Sequence, residues 1–442
     1  MNFVELKNLI KTRNANVGVV GLGYVGLPLA CVLAESGFNV VGIELREERV
    51  RMINSGISPI KGEEPGLDEL LKQVVLSKKF RASTNVNDLR EAQIITINVE
   101  TPVEDNHEPK YEALILACQA VGEILENGTV VIIESTVAPG TTTRLIIPTL
   151  EKTSKKKVNR DFFVGVCPER VMPGKLMENL HKMSRICGGS TPTVAEIMVG
   201  FYESFVDSNV DVADLITAEL VKTVENSYRD VQIAFANEVA LICEKLGADV
   251  FRVRDLVNKA PYRQMHLPGA GVGGHCIPKD PWLLAYSVKE YFPLTVIPSA
   301  RKVNNEMPLH IGAVLLHSFQ QLGVDPKKAK VSILGISYLE NSDDTRNSPT
   351  IPLIHFLEEN GVKVVVHDPL VSPYNKDLLT TVRDSDAIIV MVGHQQYSQI
   401  NLKELKNVLH HSILIDGRHL FNRSKAIDAG FTYYCIGQGQ AN

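Results

Sequence analysis

The chain of 442 residues lacks any apolar run that approaches the ~20 residues of a membrane-spanning helix. It also lacks a signal-peptide pattern in its opening segment, Met-Asn-Phe-Val-Glu. A net charge of −5 leaves no basic surplus to attract nucleic acid or an anionic membrane. We therefore expect a cytoplasmic protein that binds neither nucleic acid nor a membrane.

The seven cysteines include no Cys-x-x-Cys pair and no Cys/His cluster with the spacing of a zinc site. Their odd number, in a chain expected to be cytoplasmic, argues against a disulfide framework. The sequence therefore predicts neither a metal site nor structural disulfides. A single catalytic cysteine remains compatible with this pattern.

A chain of this length exceeds what one hydrophobic core organises and predicts two or three domains. Short apolar runs alternate with helical patterns in the first part of the chain, a helical region follows, and a second alternation comes last. This order predicts the α/β class, with two Rossmann-like doubly wound domains joined by a long central helical spine. The predicted domains are residues 1–195, 196–325 and 326–442.

The first predicted strand and helix flank the sequence Gly21-Leu-Gly23-Tyr-Val-Gly26. In a dinucleotide site, such glycines permit a tight turn, the approach of the pyrophosphate and close helix packing, and the helix N-terminus offers free N–H groups to the phosphates. Glu44 ends the second strand, where a carboxylate would bind the ribose 2′-hydroxyl and favour NAD, although the nearby Arg49 keeps NADP open. A glycine turn that binds no nucleotide is the alternative.

Three later predicted strands end in polar residues at the carboxyl edge of a parallel sheet, where ligands bind. Thr101 and Thr136 are therefore candidate cofactor contacts, although threonine is also a common turn or N-cap residue. Glu169 follows the third strand and, with Arg170 beside it, is a candidate base near an anionic ligand. A surface ion pair is the alternative interpretation of these two residues.

The pattern from about 195 to 260 predicts wholly helical structure. Residues 216–246 carry apolar side chains on more than one face, so we interpret this helix as a spine that also forms a dimer interface. The spacing of Lys222, Asn226 and Arg229 places them on one helical face. They are either site residues or part of a solvated stripe.

The segment 267–282 combines glycine and proline with a single cysteine, Cys276. Four glycines precede it, and Lys279 and Asp280 follow three and four positions later. Glycine lets a backbone approach a ligand closely, and a thiol beside a cation and a carboxylate is a candidate nucleophile. The alternative is a loop whose cysteine is merely buried.

The second α/β alternation begins near residue 331 and has no Gly-x-Gly-x-x-Gly motif, so it either binds a nucleotide or is structural. Arg346 and Arg418 lie at strand exits within it. Guanidinium groups at such positions are suited to phosphate binding.

Together these motifs resemble the UDP-glucose/GDP-mannose dehydrogenase family over essentially the whole chain. The matching segments are Gly21-Leu-Gly-Tyr-Val-Gly26, Ser135-Thr-Val137, Pro168-Glu169, Lys222-x-x-x-Asn226, Gly273-Gly-His-Cys276-x-x-Lys-Asp280, Asp344-Thr-Arg346 and Asp416-Gly-Arg418. The segments around Glu169 and Cys276 look most similar to the UDP-N-acetylhexosamine branch of the family.

The resemblance implies a four-electron oxidation of the C6 alcohol of a UDP-sugar to a carboxylate, with two molecules of NAD. The best candidate substrate is UDP-N-acetyl-D-mannosamine, with UDP-N-acetyl-D-glucosamine and UDP-glucose as alternatives. Cys276 would form a thiohemiacetal and then a thioester. Lys222 with a water would relay the C6 proton, and Lys222 and Asn226 would stabilise oxyanion charge. Either Glu169 or Asp280 would activate the water that hydrolyses the thioester.

By the same resemblance, the N-terminal domain binds NAD, the central domain carries the catalytic loop and a homodimer interface, and the C-terminal domain binds the UDP-sugar. The implied NAD contacts are Gly21, Gly23, Tyr24, Val25, Gly26, Glu44, Arg49, Thr101, Thr136 and Arg346. The implied substrate contacts are Arg170, Val171, Lys222, Asn226, Arg229, Arg263, Gly273, Tyr338 and Arg418. Two positions depart from the family pattern, since Tyr338-Leu339 stands where Phe-Lys is common and Pro173 where a second glutamate is frequent.

Two other functions stay open. A two-electron hydroxyacid-type dehydrogenase shares the Rossmann domain, the spine and a lysine, but it needs neither the cysteine loop nor a second nucleotide-binding sheet. An NAD-sensing scaffold is the non-enzymatic alternative. Two NADH released per substrate molecule would indicate the four-electron reaction, and one would indicate its rival.

Overall fold

The structure, a computed structural model, describes residues 2–60, 64–171 and 174–439. The chain divides into two compact units. Unit 1 comprises Met1–Glu225 and Trp282–Phe292, and unit 2 comprises Asn226–Pro281 and Pro293–Asn442. The bounds of the three domains expected from the sequence stay a prediction.

Unit 1 is built around an eight-stranded sheet. Its strands are β1 (Asn16–Val20), β2 (Asn39–Ile43), β3 (Phe80–Ser83), β4 (Ile94–Ile97), β5 (Val130–Ile133), β6 (Phe163–Val166), β7 (Arg185–Gly189) and β8 (Val210–Asp214). The order is β3-β2-β1-β4-β5-β6-β7-β8, and only β6 and β7 pair antiparallel among the described strands. The order reverses between β1 and β4, whose carboxyl ends therefore form the switch point at which doubly wound sheets bind ligands.

Helices cover both faces of this sheet, so its central strands are apolar on both sides. Successive residues of β5 belong to two separate cores, Val130 and Ile132 to one and Val131 and Ile133 to the other. The helices are α1 (Phe3–Lys11), α2 (Gly26–Glu35), α3 (Glu47–Asn54), α4 (Leu67–Leu76), α5 (Glu112–Ile124), α6 (Ile147–Ser154), α7 (Leu176–Lys182) and α8 (Pro192–Tyr202).

The prediction that residues 195–260 are wholly helical is wrong. The strand β8 lies between α8 and the long helix α9 (Leu215–Leu246). β8 is a half-exposed edge strand with the sequence Val-Asp-Val-Ala-Asp, so neither an apolar run nor a turn residue marks it. β7 was not predicted either, because two of its five residues are glycine, which strands disfavour.

Unit 2 contains a five-stranded sheet in the order β10-β9-β11-β12-β13, with every pair parallel. Its strands are β9 (Lys330–Leu334), β10 (Lys363–His367), β11 (Ala387–Val390), β12 (Ile413–Asp416) and β13 (Thr432–Cys435). Its switch point lies at the carboxyl ends of β9 and β11. The remaining helices are α10 (Val250–Val257), α11 (Asp280–Val288), α12 (Val296–Leu322), α13 (Thr350–Glu359), α14 (Leu378–Val382), α15 (Gln395–Ser398), α16 (Leu402–Asn407) and α17 (Arg423–Asp428).

The predicted α/β fold is confirmed. Both sheets have doubly wound strand orders, and α9, with 32 residues, is the expected long central helix. Within the described ranges, no helix combines the length and the apolar character that crossing a membrane requires.

Candidate active site

In unit 1, the glycine fingerprint forms the turn between β1 and α2. Gly21 has a φ of +92°, and a Cβ at Gly26 would lie 2.0 Å from the carbonyl oxygen of Gly21. A Cβ at Gly23 would meet nothing within 4 Å, so this position opens onto free space beside the N-terminus of α2. The turn therefore fits a dinucleotide, because one glycine makes the bend, one packs the helix and one faces the ligand.

Glu44 and Arg49 form an ion pair at the end of β2. The Nε of Arg49 lies 2.9 Å from Glu44 Oε2, and its Nη2 donates to the carbonyl oxygen of Leu22 at 2.7 Å. Arg49 is thereby engaged with Glu44 and the fingerprint turn instead of extending toward a 2′-phosphate. This arrangement favours a ribose 2′-hydroxyl beside Glu44, as NAD has.

The loops after β4 and β5 are tied together. Thr101 Oγ1 donates to the carbonyl oxygen of Thr136 at 2.6 Å, and Ser135 Oγ donates to the carbonyl oxygen of Val99 at 2.6 Å. The structure thus brings together the two threonines that the sequence identified at separate strand exits. Val25 is the residue that precedes α2 and is half-buried.

Glu64 is a site residue that sequence reasoning missed. Its carboxylate accepts a hydrogen bond from the Tyr24 hydroxyl and two more from the backbone N–H groups of Gly174 and Leu176, at 2.9 and 3.2 Å. It therefore joins the fingerprint turn to the segment after Glu169. No motif surrounds Glu64 to reveal this. Pro173, noted above as a departure from the family pattern, lies outside the described residues.

Glu169 is buried and held from two sides. Its Oε2 lies 2.6 Å from Nη1 of Arg185 on β7, and its Oε1 accepts the backbone N–H of Arg170 at 2.6 Å. Arg185 is also buried, with 1% of its side chain exposed. Because Arg185 lies on the unpredicted strand β7, the sequence offered no signal for this ion pair.

A second carboxylate, Glu134, belongs to the same buried cluster. Tyr202 donates a hydrogen bond to it, and the guanidinium of Arg185 lies over the Tyr202 ring, 5.4 Å from the ring centre. Burial, together with the negative charge of Glu169, raises the pKa of Glu134 to about 7 despite the lowering effect of Arg185. The cluster thus sets two carboxylates against one guanidinium.

Three predicted substrate residues also belong to unit 1. Arg170 pairs with Glu225 at 3.3 Å and donates to the carbonyl oxygen of Ser184 at 3.2 Å. Val171 is partly buried and packs against the core. Lys222 on α9 is buried, and its ammonium has no hydrogen-bond or ion-pair partner among the residues that the structure describes. A buried, unpaired cation is suited to a developing negative charge on a ligand.

In unit 2, the glycine loop packs tightly against the segment that follows β9. A Cβ at Gly273 would lie 2.5 Å from the Tyr338 Cβ, and one at Gly274 would lie 2.7 Å from the Tyr338 ring. Gly274 has a φ of +89°, and its N–H donates to the carbonyl oxygen of Arg346 at 2.9 Å. Larger residues are excluded at both positions because the Tyr338 side chain occupies the space that a Cβ would need.

Cys276 is exposed at the end of this loop, whereas the other six cysteines are buried. Its carbonyl oxygen accepts the N–H groups of Lys279 and Asp280, at 3.1 and 2.8 Å, in the turn that begins α11. The buried carboxylate of Asp280 accepts a hydrogen bond from the Asn226 amide at 2.6 Å and pairs with the Lys279 ammonium at 3.1 Å. Asn226, which is 54 positions away in the sequence, is thus joined to the adjacent pair Lys279 and Asp280 beside the exposed thiol.

His275 stands next to this thiol but is not a cation at neutral pH. Burial, assisted by the positive charges of Lys279 and Arg346, lowers the pKa of His275 to about 4. An imidazolium therefore does not activate Cys276. The cation nearest in the sequence is Lys279.

The predicted phosphate-binding arginines of unit 2 lie after β9 and β12. Arg346 makes a two-pronged pair with Asp344, at 3.0 Å from Nε and 2.5 Å from Nη2. Arg418 donates from Nε to the carbonyl oxygen of Met391 at 2.7 Å, and its Nη1 would lie 2.8 Å from a Cβ at Gly269. The glycine loop therefore leaves room for the Arg418 guanidinium.

Tyr338 and two further arginines complete the predicted set. Burial raises the pKa of Tyr338 to about 12, with a further contribution from Asp344, so the phenol remains a hydrogen-bond donor. Arg229 and Arg263 are exposed, and Arg263 donates to the carbonyl oxygen of Pro261 at 3.1 Å. The roles assigned to all these residues from the sequence stay predictions.

Three models of the UDP-glucose/GDP-mannose dehydrogenase family match successive parts of the chain. The NAD binding domain matches residues 15–206, the central domain residues 216–306 and the UDP binding domain residues 332–423. Along the sequence, the first match covers most of the eight-stranded sheet, the second covers nearly all of the long helix α9, and the third covers most of the five-stranded sheet.

Three proteins are similar to the chain over nearly its full length. UDP-N-acetyl-D-mannosamine dehydrogenase from Pyrococcus horikoshii is 37% identical over 96% of this chain and 99% of that protein, and its solved structure has a TM-score of 0.91. The structure of NDP-N-acetyl-D-galactosaminuronic acid dehydrogenase from Methanosarcina mazei is 35% identical, covers 98% of both chains and has a TM-score of 0.87. The structure of a UDP-glucose dehydrogenase from Pyrobaculum islandicum is 26% identical, with a TM-score of 0.85, over 96% of this chain and 98% of that chain.

Proposed function

The chain belongs to the UDP-glucose/GDP-mannose dehydrogenase family and is an NAD-dependent oxidoreductase of UDP-sugars, and on that premise we propose that it oxidises C6 of UDP-N-acetyl-D-mannosamine to the uronate. The family resemblance and the NAD cofactor expected from the sequence are confirmed. The choice of sugar rests on relatives, since identity is 37% to the mannosamine enzyme and 26% to the glucose enzyme. UDP-N-acetyl-D-glucosamine and UDP-glucose are the alternatives.

The observation that carries the proposal is the setting of Cys276. It is the exposed cysteine of the chain, and it precedes a helix start at which Asp280 is fixed between Asn226 and Lys279. An accessible thiol is needed for a covalent step, because the aldehyde formed by the first oxidation must be captured before its second oxidation. A two-electron dehydrogenase has no use for such a thiol.

In the proposed first step, a water beside Lys222 takes the proton of the C6 hydroxyl and passes it toward solvent, so that Lys222 keeps its positive charge. Bound NAD supplies the hydride acceptor for this oxidation, and a second NAD does so for the next. Because Lys222 is buried and has no hydrogen-bond or ion-pair partner among the described residues, its ammonium is available to stabilise the C6 oxygen as negative charge develops there. Asn226 assists with its amide, one N–H of which is already committed to Asp280.

In the proposed second step, Cys276 adds to the aldehyde as a thiohemiacetal, and oxidation of this adduct leaves a thioester. A water then attacks the thioester carbonyl, which releases the uronate and returns the thiol. Both oxygens of each carboxylate are held by protein groups, and we assign the activation of this water to Glu169, because it is 8% exposed whereas Asp280 is fully buried. Asp280 instead positions Asn226 and Lys279.

The proposal is tested by measuring NADH release with UDP-N-acetyl-D-mannosamine, UDP-N-acetyl-D-glucosamine, UDP-N-acetyl-D-galactosamine and UDP-glucose. We expect two NADH per molecule of sugar consumed and the highest kcat/KM for the mannosamine derivative. One NADH per sugar would support the two-electron alternative. Binding of NAD without turnover of any of the four sugars would support the non-enzymatic one.

We further propose that the protein is a homodimer that associates through α9. One face of this helix presents exposed apolar side chains, at Ile216, Leu220, Val224, Tyr228, Phe235 and Ile242. An exposed apolar stripe of this length is typical of an interaction surface. Light scattering should give the mass of two chains for the native protein and of one chain for Phe235→Glu. A monomeric native mass would contradict the proposal. The cytoplasmic location and the absence of nucleic-acid binding stay predictions from the sequence.

A further inference from the structure

Two adjacent histidines and a buried aspartate converge at one edge of the unit 2 sheet. The Nδ1 atoms of His410 and His411 each lie 2.7 Å from the same oxygen, Oδ1 of Asp386. The three atoms lie within 4.8 Å of one another. Asp386 immediately precedes β11, and the histidines precede β12, so the cluster lies at the amino ends of parallel strands. The loops that carry Tyr338, Arg346 and Arg418 follow the carboxyl ends of strands in the same sheet.

Backbone hydrogen bonds fix two members of the cluster, Asp386 and His410. Asp386 Oδ2 accepts the N–H of Lys330 at 2.8 Å, and the N–H of Asp386 donates to the carbonyl oxygen of Lys330 at 2.7 Å. The N–H of His410 donates to the carbonyl oxygen of Ser385 at 2.9 Å. The carboxylate therefore has one oxygen fixed by a main-chain donor and the other directed at the two imidazoles, which is the outer support that metal-binding carboxylates require.

The arrangement also leaves a path for an ion. The two rings stand at 70° with their centres 4.4 Å apart, so both nitrogens point inward without the rings colliding. His410 is 69% exposed and His411 is 39% exposed, whereas Asp386 is 8% exposed. The site thus consists of an anchored, buried carboxylate covered by two accessible imidazoles.

The donor set indicates which ion fits. Two imidazole nitrogens and one carboxylate oxygen suit Zn²⁺ and similar transition metals, whereas Mg²⁺ and Ca²⁺ prefer oxygen ligands. Around a tetrahedral zinc, ligand atoms lie about 3.3 Å apart, given bond lengths of about 2.0–2.1 Å. The observed 2.7 Å separations would need to open by only about 0.6 Å, which rotation of two exposed side chains provides.

We propose that Asp386, His410 and His411 bind one zinc-class divalent metal ion, with water completing its coordination. The ion would join the starts of β11 and β12 and, through Lys330, the start of β9. Its role would be to stabilise the sheet of unit 2, and it would take no part in the oxidation chemistry.

The test uses untagged full-length protein, stripped with a chelator and titrated with ZnCl₂ by calorimetry and with CoCl₂ by visible absorption. All samples carry Cys276→Ser, so that the exposed thiol cannot supply a competing site. We expect one zinc per chain, tetrahedral cobalt bands and a higher unfolding temperature with the metal. His410→Ala and His411→Ala should each weaken binding roughly tenfold or more.

His355→Ala is the matched control, because His355 is an exposed histidine on α13 of the same unit. It should bind zinc as tightly as the parent protein. In the background that retains Cys276, His411→Ala should leave the initial rate of NADH formation unchanged. Absence of zinc binding to the parent, or equal binding by the parent and His411→Ala, would overturn the proposal.

Discussion

Glu169 of unit 1 and Asp280 of unit 2 are both buried carboxylates, but their surroundings differ in charge. Glu169 shares the single guanidinium of Arg185 with a second carboxylate, Glu134. Asp280 faces the single ammonium of Lys279. The cluster in unit 1 therefore carries a surplus negative charge that a proton relieves near neutral pH, whereas the pair in unit 2 is balanced. We infer that the first cluster responds to pH and that the second holds a fixed geometry around the nucleophile.

The largest effect is expected from replacing Cys276, the nucleophile next to the charge-balanced pair of Asp280 and Lys279. Cys276→Ser should lower the rate of uronate formation at least about a thousandfold, because a hydroxyl is a far weaker nucleophile than a thiolate. The product is measured by chromatography with saturating NAD. An unchanged rise in unfolding temperature on adding NAD is the control for a folded site, and uronate formation at the native rate would refute the covalent step.

The next effect concerns the single cation of the unit 1 cluster. Arg185→Leu should reduce the free energy of unfolding by about 3–5 kcal/mol, because it leaves Glu169 buried without a counter-charge. Urea unfolding monitored by circular dichroism measures the loss. Arg185→Lys, which keeps the charge, should recover part of it. If the lysine variant were as unstable as the leucine variant, the shape of the arginine would matter more than its charge.

Glu134, the second carboxylate of the unit 1 cluster, should make the free energy of unfolding depend on pH. The pKa of Glu134 is raised from its ordinary value of 4.5 to about 7, mainly by burial. Its protonated form is therefore favoured on folding, and this contribution is complete below pH 4.5 and is lost as the pH rises through 7. The loss is on the order of 3 kcal/mol. In Glu134→Gln, whose amide cannot ionise, the free energy of unfolding should decrease less as the pH rises.

The measurement compares the free energy of unfolding of the native protein and Glu134→Gln at intervals from pH 5 to 8. Glu126→Gln is the matched control, because Glu126 is an exposed glutamate of the same unit. It should leave the native pH profile unchanged. If the free energy of unfolding changed with pH in the same way in the native protein and in Glu134→Gln, the inference that the unit 1 cluster responds to pH would be wrong.

The smallest effect is expected at Glu44, whose pairing with Arg49 is more exposed than that of Glu169. Glu44→Gln should raise KM for NAD by about tenfold, the worth of one charge-assisted hydrogen bond to the ribose. KM for the UDP-sugar and the free energy of unfolding should change little. An unchanged KM for NAD would show that the carboxylate serves Arg49 and not the cofactor.

Local patterns predicted the parts of the site that depend on neighbouring residues in the sequence. The glycine fingerprint is a single strand-turn-helix unit, so its spacing alone indicated the turn in which Gly23 faces open space. Thr101 and Thr136 were predicted to lie at one sheet edge because parallel strands end together. The exposure of Cys276 agreed with the glycine-rich loop before it.

The residues that were missed are joined over long distances in the chain. Arg185 reaches Glu169 because β6 and β7 pair antiparallel, a register that no local pattern reveals. Tyr202 binds Glu134 across 68 positions. Asp386 meets His410 and His411 only because β11 and β12 are neighbours in the sheet. Such contacts follow from topology, which periodicity and composition do not encode.

The unequal burial of the cysteines offers a practical way to count the chains that carry a reactive Cys276 thiol. Since six thiols are enclosed and Cys276 alone is exposed, the native protein should behave toward an aromatic disulfide reagent as a one-thiol protein and, once unfolded, as a seven-thiol protein. The fast phase of the native reaction would then be a direct titre of reactive centres per chain. The same thiol offers a place to attach a fluorescent probe without engineering the remaining cysteines away.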